Sequence, residues 1–320
     1  MHYDVFNGDA DGICSLIQLR LSNPKNSKLI TGVKRDVLLL KKIRPVKRDS
    51  VTVLDVSMKK NYQEVVDFLE LGVKVFYADH HQSGDFLTHK NFRSYINKSS
   101  DICTSLIINQ YLTSKYQEWA IVGAYGDGMD ESARIVANNS GLSRGDREQL
   151  KLLGECINYN SYGTNESDLL YHPTVLYDKL KSSLNPIDFI RNESDVYNNL
   201  LDNYHVDMYK AKAILPEAKS DNFSIIILPD EPWSRRIIGV YANFLMYSDK
   251  NCAHVLMIPN KDNGYLVGVR APYNNKIGVD TLCSMFGGGG RKGAAGINNL
   301  PKQKRNNFIK EFKKKFTINI

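Results

Sequence analysis

Three short apolar runs in the first eighty residues each end in a carboxylate or an imidazole, and this pattern constrains the fold more than any other. Tyr3, Val5 and Phe6 lead into Asn7-Gly8-Asp9-Ala10-Asp11-Gly12. Val51–Leu54 leads into Asp55, and Val73–Ala78 leads into Asp79-His80-His81. A fourth run, Leu29–Val33, lies between the first two. Helical spacing separates the runs: Ile13, Leu16, Ile17, Leu19 and Leu21 after the first, and Val65, Val66, Phe68, Leu69 and Leu71 before Val73. Short apolar strands alternating with amphipathic helices predict βαβ units and a parallel sheet. Such sheets collect ligands at the carboxyl ends of their strands.

Asp9 and Asp11, spaced i, i+2 at the end of a buried strand, repel one another and lose hydration. A divalent cation is the usual compensation, and hard oxygen ligands suit magnesium or manganese. The alternative is an acidic turn in which Asp9 caps the following helix. Polar residues also follow strands simply because loops do. Two adjacent histidines after Asp79 make that reading weaker at the third strand end.

From Thr104 to Leu184 the pattern is helical. One helix carries Leu106, Ile107, Ile108 and Leu112, and a second runs through Trp119–Ala124 into Tyr125-Gly126-Asp127-Gly128. Flanking glycines let the backbone bring the Asp127 carboxylate inward; a helix-ending turn is the alternative. Ser182-Ser183-Leu184-Asn185-Pro186 reads as a boundary. The expected organisation is a domain over 1–185, a helical connector over 186–220 and a second domain over 221–320. That second domain opens on the strand Phe223–Leu228 and continues with a helix through Ile237–Leu245, strands His254–Ile258 and Tyr265–Arg270, and a helix Val279–Phe286. It closes on a helix bearing Phe308, Phe312 and Phe316 at i, i+4 spacing.

Composition narrows the class. The chain has 320 residues, 42% of them hydrophobic and 24% charged, as in an ordinary globular protein. No apolar run reaches about 18 residues and no secretory leader opens the sequence, so a membrane role is not expected. Five separated cysteines without a C-x-x-C pair read as reduced, in a cytoplasmic setting. A net charge of +7, with Lys34, Arg35, Lys41, Lys42, Arg44, Lys47 and Arg48 clustered, is compatible with a polyanionic ligand. Asn158-Tyr159-Asn160-Ser161-Tyr162-Gly163 interleaves aromatic rings with amides, a composition that stacks on bases.

Taken together, Asn7–Gly12, Asp79-His80-His81 and Gly288-Gly289-Gly290-Arg291-Lys292-Gly293-Ala294-Ala295-Gly296 resemble the motifs of the DHH phosphoesterase superfamily. Their order and distances resemble the branch with the type-1 DHH-associated C-terminal domain. That branch includes RecJ-type exonucleases, bacterial oligoribonucleases (nanoRNases), phosphoadenosine-phosphate phosphatases and cyclic-dinucleotide phosphodiesterases. The resemblance implies an α/β fold: a parallel-sheet N-terminal domain, a smaller α/β C-terminal domain and an active-site cleft between them.

It further implies two manganese ions, with magnesium or cobalt as alternatives. Asp9 would bind one ion and Asp11 the other, Asp55 would bridge them, and His80 and Asp127 would complete the ligands of the second ion. Asp79 would orient a histidine, and His81 would face the scissile phosphate as general acid or phosphate donor. Asn7 stands where the family has histidine or, in some RecJ-type members, aspartate. It is either a direct ligand or an Asx turn that shapes the motif. Arg291 stands where the family commonly has histidine; with Gly289 and Gly290 it would contact a substrate phosphate. Arg270 resembles a substrate-binding arginine, and Lys34 and Arg35 follow the second strand where they would bind phosphate. The expected activity is manganese-dependent hydrolysis of short oligonucleotides or small nucleotides. The alternatives are a pAp phosphatase, a polyphosphate or pyrophosphate hydrolase, or a non-catalytic nucleotide-binding protein. The resemblance leaves monomer and homodimer open.

Overall fold

A computed structural model describes residues 1–85, 87–192 and 194–317. Strand β1 (His2–Phe6) lies between β2 (Lys28–Ile30) and β3 (Ser50–Leu54), followed by β4 (Lys74–Asp79) and β5 (Phe92–Ile96). These five strands form one parallel sheet in the order β2-β1-β3-β4-β5. The inner strands are buried on both faces, which is why they read as unbroken apolar runs. The edge strand β5, with the sequence FRSYI, is not predicted from the sequence. It carries arginine and serine at its exposed positions, so its apolar signal is too short to register.

This strand order sets the site. The chain leaves β1 for β2 on one side and comes back to β3 on the other, so the order reverses between β1 and β3. A crevice forms at such a switch point, outside the carboxyl ends of the strands. Register makes those ends level, since Phe6 pairs with Leu54 and Leu54 with Ala78. The next residues are Asn7, Asp55 and Asp79. Backbone hydrogen bonds continue one step further, from Asn7 N–H to the Leu54 carbonyl (3.2 Å) and from Asp55 N–H to the Ala78 carbonyl (3.0 Å).

Helix α1 (Ala10–Ser22) follows β1, and every residue from Ala10 to Leu19 is buried. Helix α2 (Tyr62–Glu70) is amphipathic and seats Val65, Phe68 and Leu69 against Val51, Val53, Val75 and Tyr77 of the sheet. Helices α3 (Thr104–Tyr111), α4 (Gln117–Gly126), α5 (Asp130–Asn139), α6 (Arg144–Ser161), α7 (Pro173–Leu180) and α8 (Pro186–Asn192) complete the helical stretch. A Cβ at Gly126 would fall 2.2 Å from the Ala10 Cβ, so glycine there is what lets α4 approach the start of α1.

The chain divides into two compact units, Met1–Asp202 and Asn203–Ile320, with α9 (Ser194–Ala213) running through the division. The stretch 186–220 contains α8, α9 and the short strand β6 (Ala218–Lys219). The second unit adds β7 (Phe223–Ile227), α10 (Pro232–Ser248), β8 (Ala253–Asn260), β9 (Gly264–Arg270), α11 (Val279–Met285), β10 (Gly289–Arg291), β11 (Ala294–Pro301) and α12 (Arg305–Thr317). Its sheet runs β10-β11-β9-β8-β7-β6, with only the β7–β8 pair parallel. Phe308, Phe312 and Phe316 of α12 enter its core beside Phe223 and Phe286. The sequence pattern predicts no strand in Gly287–Gly296, yet β10 and the start of β11 form there. Glycine and alanine supply no apolar alternation, and the segment is extended because β11 pairs with β9, where Ala294 faces Arg270, and β10 pairs with β11.

Candidate metal centre

Asp9 begins the site with two different partners for its two oxygens. It is the N-cap of α1, and its Oδ1 accepts the Gly12 N–H at 3.1 Å. Its Oδ2 lies 2.5 Å from the Lys34 ammonium. The turn is tight: a Cβ on Gly12 would stand 2.2 Å from the Asn7 carbonyl oxygen. Asp11, in the first turn of α1, is completely buried. Its carboxylate accepts the backbone N–H groups of Thr104 (2.8 Å) and Ser105 (2.6 Å), at the positive end of α3. Burial pushes its pKa upward; His80 opposes this, and Asp127 and Asp9 add to it.

Asp55 sits just past β3 at a φ of +56°, a left-handed conformation that aspartate and asparagine adopt more readily than most residues. Thr104 Oγ1 donates to its Oδ1 at 3.1 Å. Burial, followed by the charges of Asp11, Asp9, Asp127 and Asp79, holds the Asp55 carboxyl well above the usual carboxylate range. Asp127 caps the end of α4, with its N–H on the Gly123 carbonyl, and Gly128 follows at a φ of +75°.

His80 joins these groups. Its Nδ1 lies 3.1 Å from the Ile102 carbonyl, an acceptor only, so Nδ1 carries a proton and Nε2 is the ring nitrogen left to face the carboxylates. That Nε2 faces Asp55 Oδ1 at 3.3 Å, Asp127 Oδ2 at 3.8 Å and Asp11 Oδ2 at 3.9 Å. Three carboxylate oxygens converging on one imidazole nitrogen call for positive charge among them, which a proton on that nitrogen or a cation in its place would supply. Imidazole nitrogen with carboxylate oxygens is the donor set of manganese, magnesium and zinc sites, so these residues fit a divalent cation. Among the described residues, two groups have ligand atoms mutually within 4.8 Å: Asp11, His80 and Asp127, and Asp55, His80 and His81.

His81 is held differently. Its Nδ1 is 2.8 Å from Asp79 Oδ1, and its side chain is 42% exposed. Asp79 is fully buried at the end of β4 and orients His81 rather than His80. Asn7 is buried; its Nδ2 reaches the Lys34 carbonyl at 3.4 Å, and its Oδ1 has no hydrogen-bond partner among the described residues. A pocket of about 100 Å³ is lined by Asn7, Asp9, Lys34, Asp55, His81 and Asp127, among others.

Lys34 is largely buried and has three side-chain partners: Asp9, Asn158 Oδ1 at 3.1 Å and Asp127 Oδ1 at 3.4 Å. Burial opposes its charge, but Asp9, then Tyr162 and Asp127, keep its pKa well above the ordinary lysine value. Arg35 donates to the Tyr162 carbonyl at 3.3 Å, and its guanidinium lies 5.9 Å from the Tyr162 ring centre. Asn158 and Tyr162, whose run reads in sequence as a base-stacking segment, instead surround this basic pair. Thr104 and Ser105 escape sequence reading because they act through backbone amides and one hydroxyl.

The first unit therefore brings together Asn7, Asp9, Asp11, Lys34, Asp55, Asp79, His80, His81 and Asp127. Arg270, Gly289, Gly290 and Arg291 lie in the second. Arg270 and Arg291 flank Ala294 in register, on β9 and β10. Arg270 is buried, donating to Asn243 Oδ1 (2.7 Å) and to the carbonyls of Val269 (3.0 Å) and Gly239 (3.3 Å). Arg291 is exposed.

Residues 3–135 match the DHH family, N-terminal domain. The chain carries a DHH-family domain. The crystal structure of exonuclease RecJ bound to manganese is similar over 100% of this chain and 90% of its own, at 15% identity and a TM-score of 0.61. A pGpG-specific phosphodiesterase, PggH from Vibrio cholerae, is similar over 98% of this chain and 99% of its own, at 14% identity and a TM-score of 0.57. RecJ from Thermus thermophilus, in complex with Mn2+, shares 14% identity and a TM-score of 0.60; the chain spans 52% of its length. No curated protein matches the chain in sequence. At these identities the likeness is one of fold.

Proposed function

We propose that the chain is a divalent-cation-dependent phosphodiesterase, with manganese as the working cation and short oligonucleotides or small nucleotides as substrates. The observation that carries this is the convergence of the Asp55, Asp127 and Asp11 oxygens on Nε2 of His80 at 3.3–3.9 Å. Manganese in a structural neighbour of the same fold supports the choice of metal, and exonuclease and phosphodiesterase neighbours support the substrate class.

Asp11, Asp55, His80 and Asp127 are the proposed cation ligands. A divalent ion bound there supplies a Lewis acid for the phosphoryl oxygen and acidifies its own water. The chain's part is to hold the ligands still. Thr104 and Ser105 fix Asp11, Thr104 fixes Asp55, and the Ile102 carbonyl orients the His80 ring through Nδ1. His81, half-exposed at the pocket, has one nitrogen on Asp79; the other is the proposed proton donor to the leaving oxygen. The pocket lined by Asp9, Lys34, Asp55, His81 and Asp127 is proposed to receive the reacting phosphate. Gly289, Gly290, Arg291 and Arg270 are proposed to bind substrate phosphate, with Arg291 the exposed fork and Arg270 held ready by Asn243. Five buried free cysteines fit the proposed cytoplasmic setting. Among the described residues no helix is long and apolar enough to cross a membrane.

The direct test incubates the full chain and Mn2+ with a five-nucleotide RNA, a five-nucleotide DNA, pGpG, pAp and pyrophosphate. Hydrolysis of an oligonucleotide or of pGpG is expected; turnover of pAp or pyrophosphate alone would replace the substrate class. No hydrolysis with manganese, magnesium or cobalt would defeat the proposal. On the best substrate, His81→Gln is expected to lower kcat on the order of 10²–10⁴-fold, as for loss of a positioned general acid. A drop below about threefold would remove His81 from the chemistry.

A further inference from the structure

Asp9 opens the acidic motif, yet among the described residues it belongs to neither group of mutually close ligand atoms. Its Oδ1 caps α1 and its Oδ2 is taken by Lys34. We infer that the Lys34 ammonium is a built-in cation standing where an Asp9-bound metal ion would stand, so that this chain binds one divalent ion, on Asp11, Asp55, His80 and Asp127, instead of two. The inference rests on the phosphoesterase reading and refines its metal content.

Lys34 is placed there by its backbone. Its N–H donates to the Ser161 carbonyl at 2.9 Å, and its own carbonyl accepts from Asn7 Nδ2. The side chain then crosses to Asp9, with Asn158 and Asp127 as further acceptors at 3.1 and 3.4 Å. An ammonium has three N–H groups, and three acceptors from three separate elements face it. This arrangement is one of ligation, built around a compact point charge. A divalent ion bound to an aspartate oxygen sits about 2.0–2.2 Å away. Nζ at 2.5 Å from Asp9 Oδ2 covers that place, and two cations cannot share it.

Asn7, the remaining group beside Asp9, contributes a neutral amide, a weaker ligand than a carboxylate or an imidazole. The fixed ammonium also leaves the pocket one permanent positive charge with which to receive a phosphate.

The test is metal stoichiometry of the full chain, by equilibrium dialysis against Mn2+ with elemental analysis, together with manganese EPR. One ion per chain and the spectrum of an isolated Mn2+ are expected. Asp9→Asn is expected to keep one ion, since Asp9 holds lysine rather than metal. Lys34→Ala is expected to exceed one ion at saturating Mn2+ and to show spin coupling between neighbouring ions. Two coupled ions in the unaltered chain would overturn the inference and leave the phosphodiesterase reading standing. No bound ion would overturn both. The unaltered chain decides by itself, so a variant that fails to fold does not blunt the test.

Discussion

Asparagine in place of Asp55 is expected to abolish turnover and at the same time to raise the melting temperature of the metal-free chain. The two effects have one cause. Asp55 is buried among Asp11, Asp9, Asp127 and Asp79, and this environment holds its carboxyl well above the usual range. An acid whose folded pKa is raised contributes stability only while protonated; that contribution is complete below its unfolded value, about 3.9, and is lost as pH rises through the folded value. As pH rises without metal, keeping this carboxyl folded among the others therefore works against stability. Asparagine takes the titrating carboxyl away, keeps the size and tolerates the φ of +56°. A gain of about 1 kcal/mol would appear as roughly 2–4 °C in Tm. Mn2+ should reverse the order. The unaltered chain gains about 2.7 kcal/mol at a hundredfold excess over Kd, and the variant, short of a ligand, gains less. Loss of several kcal/mol of transition-state stabilisation corresponds to a fall in kcat/KM on the order of 10³-fold. Thermal melts in EDTA and in Mn2+, with steady-state rates, check all three statements. A variant retaining more than a tenth of the activity, or melting curves that keep their order in both conditions, would sink the argument.

What the sequence made legible follows from where its signals are local. Parallel strands buried on both faces must be apolar, so their ends are sharp, and the residue after the last apolar one lies at the edge where ligands collect. That is why Asp55, Asp79, His80 and the Asp9–Asp11 pair were readable at their strand ends. Asp127 was readable from its glycines, whose backbone freedom Gly128 uses at a φ of +75°. The expectation of an α/β fold with a parallel sheet in the first domain agrees with the structure. At Asp9 the metal reading and the helix-cap reading looked like alternatives, whereas one oxygen caps the helix and the other holds Lys34. Lys34 was opaque for a physical reason. Its partners come 25, 93 and 124 positions away, and nothing around it distinguishes a ligated ammonium from a surface lysine. Thr104 and Ser105 were opaque because a backbone amide has no sequence signature. β5 and β10 were missed because edge strands and glycine-rich strands take their order from a neighbour, not from their own side chains.

The largest stability effect is expected outside the pocket lining, at Arg20. Asp4 lies in the middle of β1, and its carboxylate has no exposed surface. Arg20 of α1 grips it with two nitrogens, Nε to Oδ2 at 2.8 Å and Nη2 to Oδ1, while His2 Nε2 (3.0 Å) and Ser27 Oγ (2.6 Å) complete its surroundings. The same guanidinium reaches Thr52 Oγ1 on β3 at 3.2 Å, so one side chain ties α1 to two strands. Burial alone would raise the Asp4 pKa; the Arg20 and His2 hydrogen bonds and the Arg20 charge outweigh it and hold the carboxyl far below its ordinary value. Arg20→Met keeps most of the apolar stem and strands the charge, a change that costs about 3–5 kcal/mol when a buried pair loses one member. The dependence on pH has a definite sign. A depressed folded pKa gives stability that is full above the unfolded value near 3.9 and is lost as pH falls toward the folded value. The gap between the unaltered chain and Arg20→Met should therefore be widest at neutral pH and shrink below about pH 4. Urea unfolding at pH 7 and pH 3 measures it. A double variant, Asp4→Leu with Arg20→Met, should recover much of the loss, because two matched apolar groups leave no buried charge unanswered. A gap under about 1 kcal/mol at pH 7, the range of exposed ion pairs, would show that the pair is no more than a surface contact.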